Sequence, residues 1–281
     1  MSEAEIEITV RAPRFEHAST PHNWLPNNPE FGYRLNGGSL TLPYLEPYLI
    51  RVMRMAREQL ADGSAESLEL PRQALLRDID RFNGQEANHF KIHRAYNAFL
   101  RDRYEGLEAL EAELEADFAR FLREESLEWN LGYSAGFETT GMMMAELFFG
   151  EAEPGMKDAD PSVHGLWAWH LAEEYEHRCV AFEVFRAMGG GYFRRVELFF
   201  YQARHLASFG ERAAALMMEQ DRAAGLLPEA AEITPARKRL ASSMSRATRW
   251  RVLRGVLPGH NPRRHGPIAA ADAFLDTLEY A

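Results

Sequence analysis

The sequence contains one cysteine, Cys179, so no disulfide can form within the chain, which suits a reducing compartment. Two residues after His177 and on another helical face, it reads as a small buried filler. No uncharged apolar run reaches the ~18 residues that span a bilayer, so no transmembrane segment is expected. Basic residues are outnumbered: 32 Lys and Arg against 42 Asp and Glu give a net charge of −10. That balance argues against a general nucleic-acid surface, which needs clustered Lys and Arg. A nucleotide-phosphate loop is missing, and so is a Ser or Cys triad. The opening MSEAEIEITV is acidic, with neither a basic start nor an apolar core. No signal peptide is expected there, and the cytoplasm is the expected location.

What is present is helical periodicity in a chain with an ordinary soluble balance, 46% hydrophobic and 26% charged. Residues 1–40 read as an irregular arm docked on a helical body. Pro13, Pro21, Pro26 and Pro29, with Asn23, Asn27, Asn28, Gly37 and Gly38, interrupt regular structure, and Ile6, Ile8 and Val10 alternate as in a short strand. Residues 41–281 read as a single helical-bundle domain. Its first helix starts at Thr41 and ends near Asp62-Gly63, with Pro47 expected to kink or delay it. The second runs from Ser67 to about Tyr104. After Gly106 comes an acidic helix over 107–125, then one from Ser126 to Phe149. Following a loop at 150–162, Ser162 is expected to cap a helix that runs to about Met188 and ends in three glycines. Tyr192 to Gln220 forms a helix whose Phe199, Phe200 and Tyr201 suit a partner or membrane surface, with a structural His205 inside it. A basic amphipathic helix spans Pro235 to Val256. His260 and His265 lie in a rigid connector, and the last helix covers about 267–280.

Chemistry concentrates on two of these helices. In Trp167 to Val180, His170, Glu174 and His177 are spaced by four and three residues, so they lie within about 60° of one another. In the second helix, Glu86, His89 and His93 repeat the pattern, on one face with Phe82 and Tyr96. Each helix thus offers an E-x-x-H pair and an additional His. Two further helices contribute lone carboxylates on apolar stripes. Glu46 sits among Leu42, Leu45, Leu49, Val52, Met53 and Ala56. Glu138 sits on the stripe of Leu131, Ala135, Met142 and Ala145, near Gly132, Gly136 and Gly141, which permit close helix approach or room for a ligand. A carboxylate on such a stripe must be paired, protonated or bound to metal; Arg51 or Arg54 is the structural alternative for Glu46.

One Glu from each of two helices plus E-x-x-H from each of two others is the pattern of ferritin-like dimetal proteins. The expected fold is therefore all-α, a ferritin-like four-helix bundle with additional C-terminal helices. Glu46, Glu86, His89, Glu138, Glu174 and His177 are the expected ligands. Of His93 and His170, one is expected as a seventh ligand and the other as a hydrogen-bond partner of a ligand. Glu174 lies ~40° to one side of His170, Glu173 ~60° to the other, and Glu176 points away. Glu174 is accordingly read as ligand, Glu173 as its possible supporting neighbour and Glu176 as surface.

The stretch FNGQEANHFKIH at 82–93, with WHLAEEYEHRCVAF at 169–182 and PYLEPYLIRVMR at 43–54, resembles a bacterial family labelled predicted metal-dependent hydrolase, over roughly residues 20–265. More distantly, the spacing of His170, Glu174 and His177 is similar to the three-ligand helix of the di-iron arylamine N-oxygenases, a resemblance that implies His170 as the seventh ligand and O2-dependent chemistry. Three functions follow. Oxygenase or oxidase chemistry on a small molecule at two metal ions, iron first with manganese or zinc as alternatives, ranks ahead of the others. The second is hydrolysis with a hydroxide between the ions and Glu173 or His93 moving the proton. The third is a non-catalytic metal-binding bundle. A homodimer and a reductase partner are further expectations.

Overall fold

A computed structural model describes residues 7–63, 70–227 and 235–278, and among these the regular elements are all helical. Ten α-helices follow in order: α1 (Pro29–Ser39), α2 (Leu42–Ala61), α3 (Arg72–Arg101), α4 (Leu107–Glu124), α5 (Leu127–Phe148), α6 (Pro161–His177), α7 (Val180–Ala187), α8 (Tyr192–Ala223), α9 (Pro235–Val256) and α10 (Ala269–Leu275). Helices α2, α3, α5 and α6 form the bundle. α2 runs against α3, α5 against α6, and the two pairs meet through α2 with α5 and α3 with α6. α8 covers the outer side of α5 and carries α1, and α10 lies on α6.

The stripe Leu42, Leu45, Leu49, Val52, Met53 and Ala56 is buried with Glu46 in its midst. Pro47 sits inside α2 without delaying it. In the second turn it forfeits a single backbone bond, to the carbonyl of residue 43. Asp62 ends α2 and Gly63 turns the chain at φ +95°. The expected start of α3 at Ser67 lies outside the described residues, and α3 ends at Arg101 rather than near Tyr104. Gly106, at φ +88°, separates it from α4. The Ser126 Oγ accepts from the Trp129 N–H at 3.1 Å and starts α5.

Four expectations fail in instructive ways. The supposedly irregular arm contains α1, and its Gly37 is an approach point: a Cβ there would lie 2.3 Å from the Gly210 carbonyl oxygen on α8. Residues 7–17 form no strand; Ile6 lies outside the described residues. The cap of α6 is Asp160, whose Oδ1 accepts from the Ser162 and Val163 N–H groups, both at 3.1 Å. Nor does that helix run on to Met188. It stops at His177, where the Arg178 guanidinium folds back on the Tyr175 carbonyl and reaches those of Pro262 and His265, satisfying a helix end that its own backbone leaves open. The buried Cys179 thiol fills the break and is pushed up to about 12 by burial.

Gly37→Ala is expected to force α1 off α8, at about 1–3 kcal/mol, or roughly 2–4 °C of Tm per kcal/mol for a chain of this size. Thermal melting checks this, with Gly191→Ala, where a Cβ meets nothing within 4 Å, as the neutral control. Phe199 is buried, whereas Phe200 and Tyr201 are exposed, and Tyr201 closes an aromatic cluster with Trp129 at 5.3 Å. Among the described residues, no helix is long and apolar enough to cross a membrane.

Candidate metal centre

Four helices aim seven donors at one point inside the bundle. α2 supplies Glu46, α3 supplies Glu86 and His89, α5 supplies Glu138, and α6 supplies His170, Glu174 and His177. All are buried, His170 with 2% exposure and the others with none. They fall into two groups, Glu46, His89, His170 and Glu174 in one, Glu86, Glu138 and His177 in the other, and within each group one donor atom per residue lies within 4.8 Å of the rest. Glu174 joins the groups: its Oε1 lies 3.6 Å from His89 Nδ1, from His170 Nε2 and from His177 Nε2. His177 Nε2 also sits 3.1 Å from Glu138 Oε2 and 3.3 Å from Glu86 Oε1, and His170 Nδ1 lies 3.9 Å from Glu46 Oε1. Donors bound to one ion at about 2.1 Å stand roughly 3.0–3.4 Å apart, so these spacings are close to those of a coordination shell.

Hydrogen bonds fix which ring nitrogen faces the centre. The His89 Nε2–H donates to Glu173 Oε2 at 3.0 Å, leaving Nδ1 as a lone pair toward Glu86 and Glu174. The His177 Nδ1–H donates to Gln85 Oε1 at 2.8 Å. Gln85 cannot be turned the other way, because its Nε2 donates to the Thr9 carbonyl at 2.9 Å and to Glu176 Oε2 at 2.8 Å. His177 Nε2 is thus the nitrogen turned inward, facing carboxylate oxygens. An imidazole oriented by a carboxylate or amide on its far side is the usual setting of a metal ligand.

The donors lack partners of their own. Both oxygens of Glu46, Glu86, Glu138 and Glu174, with His89 Nδ1, His170 Nδ1 and His177 Nε2, have no hydrogen bond among the described residues. Among the described residues no Arg or Lys pairs with these carboxylates, Arg51 and Arg54 included. Buried charges in this state cost several kcal/mol each, and the titration of the groups reflects it. Burial, then the Glu86, Glu174 and Glu138 carboxylates, push Glu46 well above the usual range. Burial and Glu174 push Glu138 up to about 8. Burial also raises Glu174, but His177, His170 and His89 outweigh it and hold that carboxyl down at about 2. Burial lowers His177, yet Glu138 and Glu174 more than reverse it and push it well above 6.5. A proton or a metal cation must lie between His177 and its carboxylates. Four carboxylates and three imidazoles match two dications in charge, and mixed imidazole and carboxylate ligation suits first-row metals.

The structure thus brings together all seven sequence-derived ligand candidates. His93 stays outside both groups, buried on the neighbouring turn with its ring 4.8 Å from that of His170. Glu173 turns to the back of His89, its Oε1 3.2 Å from Arg11. Glu176 is not a surface residue: it is half-buried and paired with Arg11 at 2.9 Å. Among the three glycines of α5, Gly132 and Gly136 let α8 approach, while a Cβ on Gly141 would lie 2.3 Å from Glu174 Oε2. The open position was expected beside Glu138 and serves Glu174. His205 bridges Tyr133 and Asp117, and His265 pairs with Glu146; neither approaches the centre. Two residues with a role here carried no sequence signal. Gln85 looks like any polar neighbour of Glu86, and Arg11 lies in the arm, 162 positions from Glu173.

Comparison with curated proteins and with solved structures gives no match. A family model matches residues 9–266, from the arm through every donor to the connector after α9. On that match the chain belongs to the family described as predicted metal-dependent hydrolase.

Proposed function

We propose that the chain is a hydrolase working through two divalent ions, one held by Glu46, His89, His170 and Glu174, the other by Glu86, Glu138 and His177, with Glu174 between them. The observation that carries the metal reading is the set of eight buried, partnerless carboxylate oxygens gathered with three buried imidazoles. Two ions there would polarise an acyl or phosphoryl oxygen and lower the pKa of a shared water.

The chain's own contribution is a base. Ser39 Oγ–H donates to Asn97 Oδ1 at 2.6 Å, and Asn97 Nδ2 donates to the Ser39 carbonyl at 2.8 Å. With its only proton committed, the Ser39 hydroxyl accepts from His93 Nδ1–H at 2.8 Å. His93 Nε2 is therefore a lone pair in the dry interior beside His170, with no partner among the described residues; burial, then the His170 and His89 rings, hold this imidazole well below 6.5 and so neutral, and its proposed part is to take a proton transiently from the attacking water. Glu173 cannot share that task, since both of its oxygens are engaged; it holds His89 in place.

The sequence motifs rank oxygen chemistry first, whereas the family description supports the hydrolase reading. Oxygen chemistry at iron is the second reading, favoured by His170 joining Glu46, His89 and Glu174 in one group while His93 stays outside it. The test is a panel of carboxylic and phosphoric esters with the zinc- and manganese-loaded protein, beside O2 uptake by the iron-loaded, reduced protein. The expected result is ester hydrolysis that falls about 10²–10⁴-fold in His93→Ala at unchanged metal content, while His170→Ala loses metal. O2 consumption without hydrolysis overturns the hydrolase reading in favour of the second.

A further inference from the structure

We infer that the N-terminal segment is a strap whose Arg11 positions the ligand imidazoles of both metal groups, so that strap docking and metal binding reinforce each other. This rests on the metal reading and not on the reaction.

Extended at Thr9–Arg11, the segment lies across α3 and α6. The Thr9 N–H donates to Glu176 Oε2 at 3.3 Å, Gln85 Nε2 donates to the Thr9 carbonyl at 2.9 Å, and Asn88 Nδ2 donates to the Arg11 carbonyl at 2.8 Å. Ile8 is buried in the core. Gly84 opens the surface of α3 beneath Val10, where a Cβ would lie 2.8 Å from Val10 Cγ2. The segment thereby delivers Arg11, 8% exposed, between two glutamates of α6 that are three residues apart.

From Arg11 two relays diverge. Arg11 Nη1 donates to Glu173 Oε1 at 3.2 Å, and Glu173 Oε2 accepts from His89 Nε2–H at 3.0 Å, which sets the lone pair of the first group. Arg11 also donates through Nη1 and Nη2 to Glu176, at 3.0 and 2.9 Å. Glu176 in turn accepts from Gln85 Nε2, and Gln85 Oε1 accepts from His177 Nδ1–H. That sets the lone pair of the second group. The guanidinium's fork suits one cation serving two carboxylates. It neutralises both glutamates on the face away from the donors, leaving Glu173 and Gln85 as fixed acceptors behind His89 and His177. Without it, Glu173 and Glu176 would be neighbouring carboxylates with no cation beside them, free to reorient behind His89 and Gln85. Arg11 touches no donor atom of the centre; it is a positioning residue.

Zinc titration against a chromophoric chelator, the visible spectrum of the cobalt form, and hydrogen exchange of residues 7–14 with and without zinc test this. Wild type is expected to take two ions and to gain exchange protection in that segment, since coupling between two events is reciprocal. Arg11→Ala is expected to weaken both ions about 10–100-fold, to alter the cobalt spectrum and to lose the zinc-dependent protection, with partial recovery in Arg11→Lys. Glu173→Gln should weaken only the first ion, and Glu176→Gln only the second, a division that general destabilisation does not produce. Arg11→Ala protein that binds both ions as tightly as wild type, or protection in 7–14 indifferent to zinc, overturns the inference. Wild type that takes up no metal overturns instead the reading on which it rests.

Discussion

Glu174→Ala is expected to strip both ions from the protein. Its Oε1 stands 3.6 Å from each of the three imidazoles, two of its own group and one, His177, of the other. On the proposed reading, removing it would delete a ligand from each ion and leave three carboxylates for a charge that four would balance. Losing a mere hydrogen-bond partner of a ligand costs about 10–100-fold in affinity, and losing a carboxylate that would serve both proposed ions is expected to cost more. Glu86→Ala is expected to lose most metal as well, the second ion first. Glu176→Ala should still fill both positions at saturating metal, since it touches no ion. Elemental analysis after gel filtration ranks the variants. Equal loss in all three would contradict the assignment of Glu174 to the centre and of Glu176 to its support.

The second large effect appears in the metal-free protein, which should become less stable as pH rises. Glu138 is pushed from the ordinary 4.5 up to about 8, by burial and then Glu174. Burial lowers His89, but Glu173 and Glu86 outweigh it and raise it from 6.5 to about 9. A group whose folded pKa exceeds its unfolded one binds its proton more tightly in the native state. Native protein then holds more protons than unfolded protein across both windows, and stability falls as pH climbs through them. Glu174, held down at about 2, acts in the opposite sense below its ordinary 4.5, and His170, lowered by burial to about 3, with His93, also lowered by burial, does so below the ordinary 6.5, so the fall is read above pH 6.5. Metal reverses the trend, because ligands must lose their protons to bind it. An ion at 100 times its Kd adds about 2.7 kcal/mol. Calorimetry of chelator-treated protein should show a lower Tm at pH 8.5 than at pH 6.5, and zinc should raise the Tm more at pH 8.5. Glu138→Gln removes a charge that costs stability without an ion, so it should raise the metal-free Tm at pH 8.5 while losing metal. A drop in metal-free Tm in this variant would mean that Glu138 is held by something other than a cation.

Much of the centre was legible because helical geometry is local. Spacings of three and four residues place Glu86 with His89, and His170 with Glu174 and His177, whatever the rest of the chain does. Glu46 and Glu138 stood out as carboxylates on apolar stripes, and both are fully buried. The wheel also separated Glu174 from Glu173. It failed at Glu176 because it describes one helix alone: the side facing away from the donors is covered by the strap, whose contacts join residues more than 160 positions apart. α1 was illegible for a related reason. Its glycines read as breakers, while Gly37 answers to the backbone of α8 at Gly210. The end of α6 was hidden too, since Arg178 closes it with carbonyls from residues 262 and 265.

The most direct measurement is the metal content and anomalous diffraction of protein purified without added metal. Two ions per chain are expected, one among Glu46, His89, His170 and Glu174, the other among Glu86, Glu138 and His177. A chain that carries no metal after exposure to zinc, manganese and iron, or that carries it away from these seven residues, would contradict the dimetal centre.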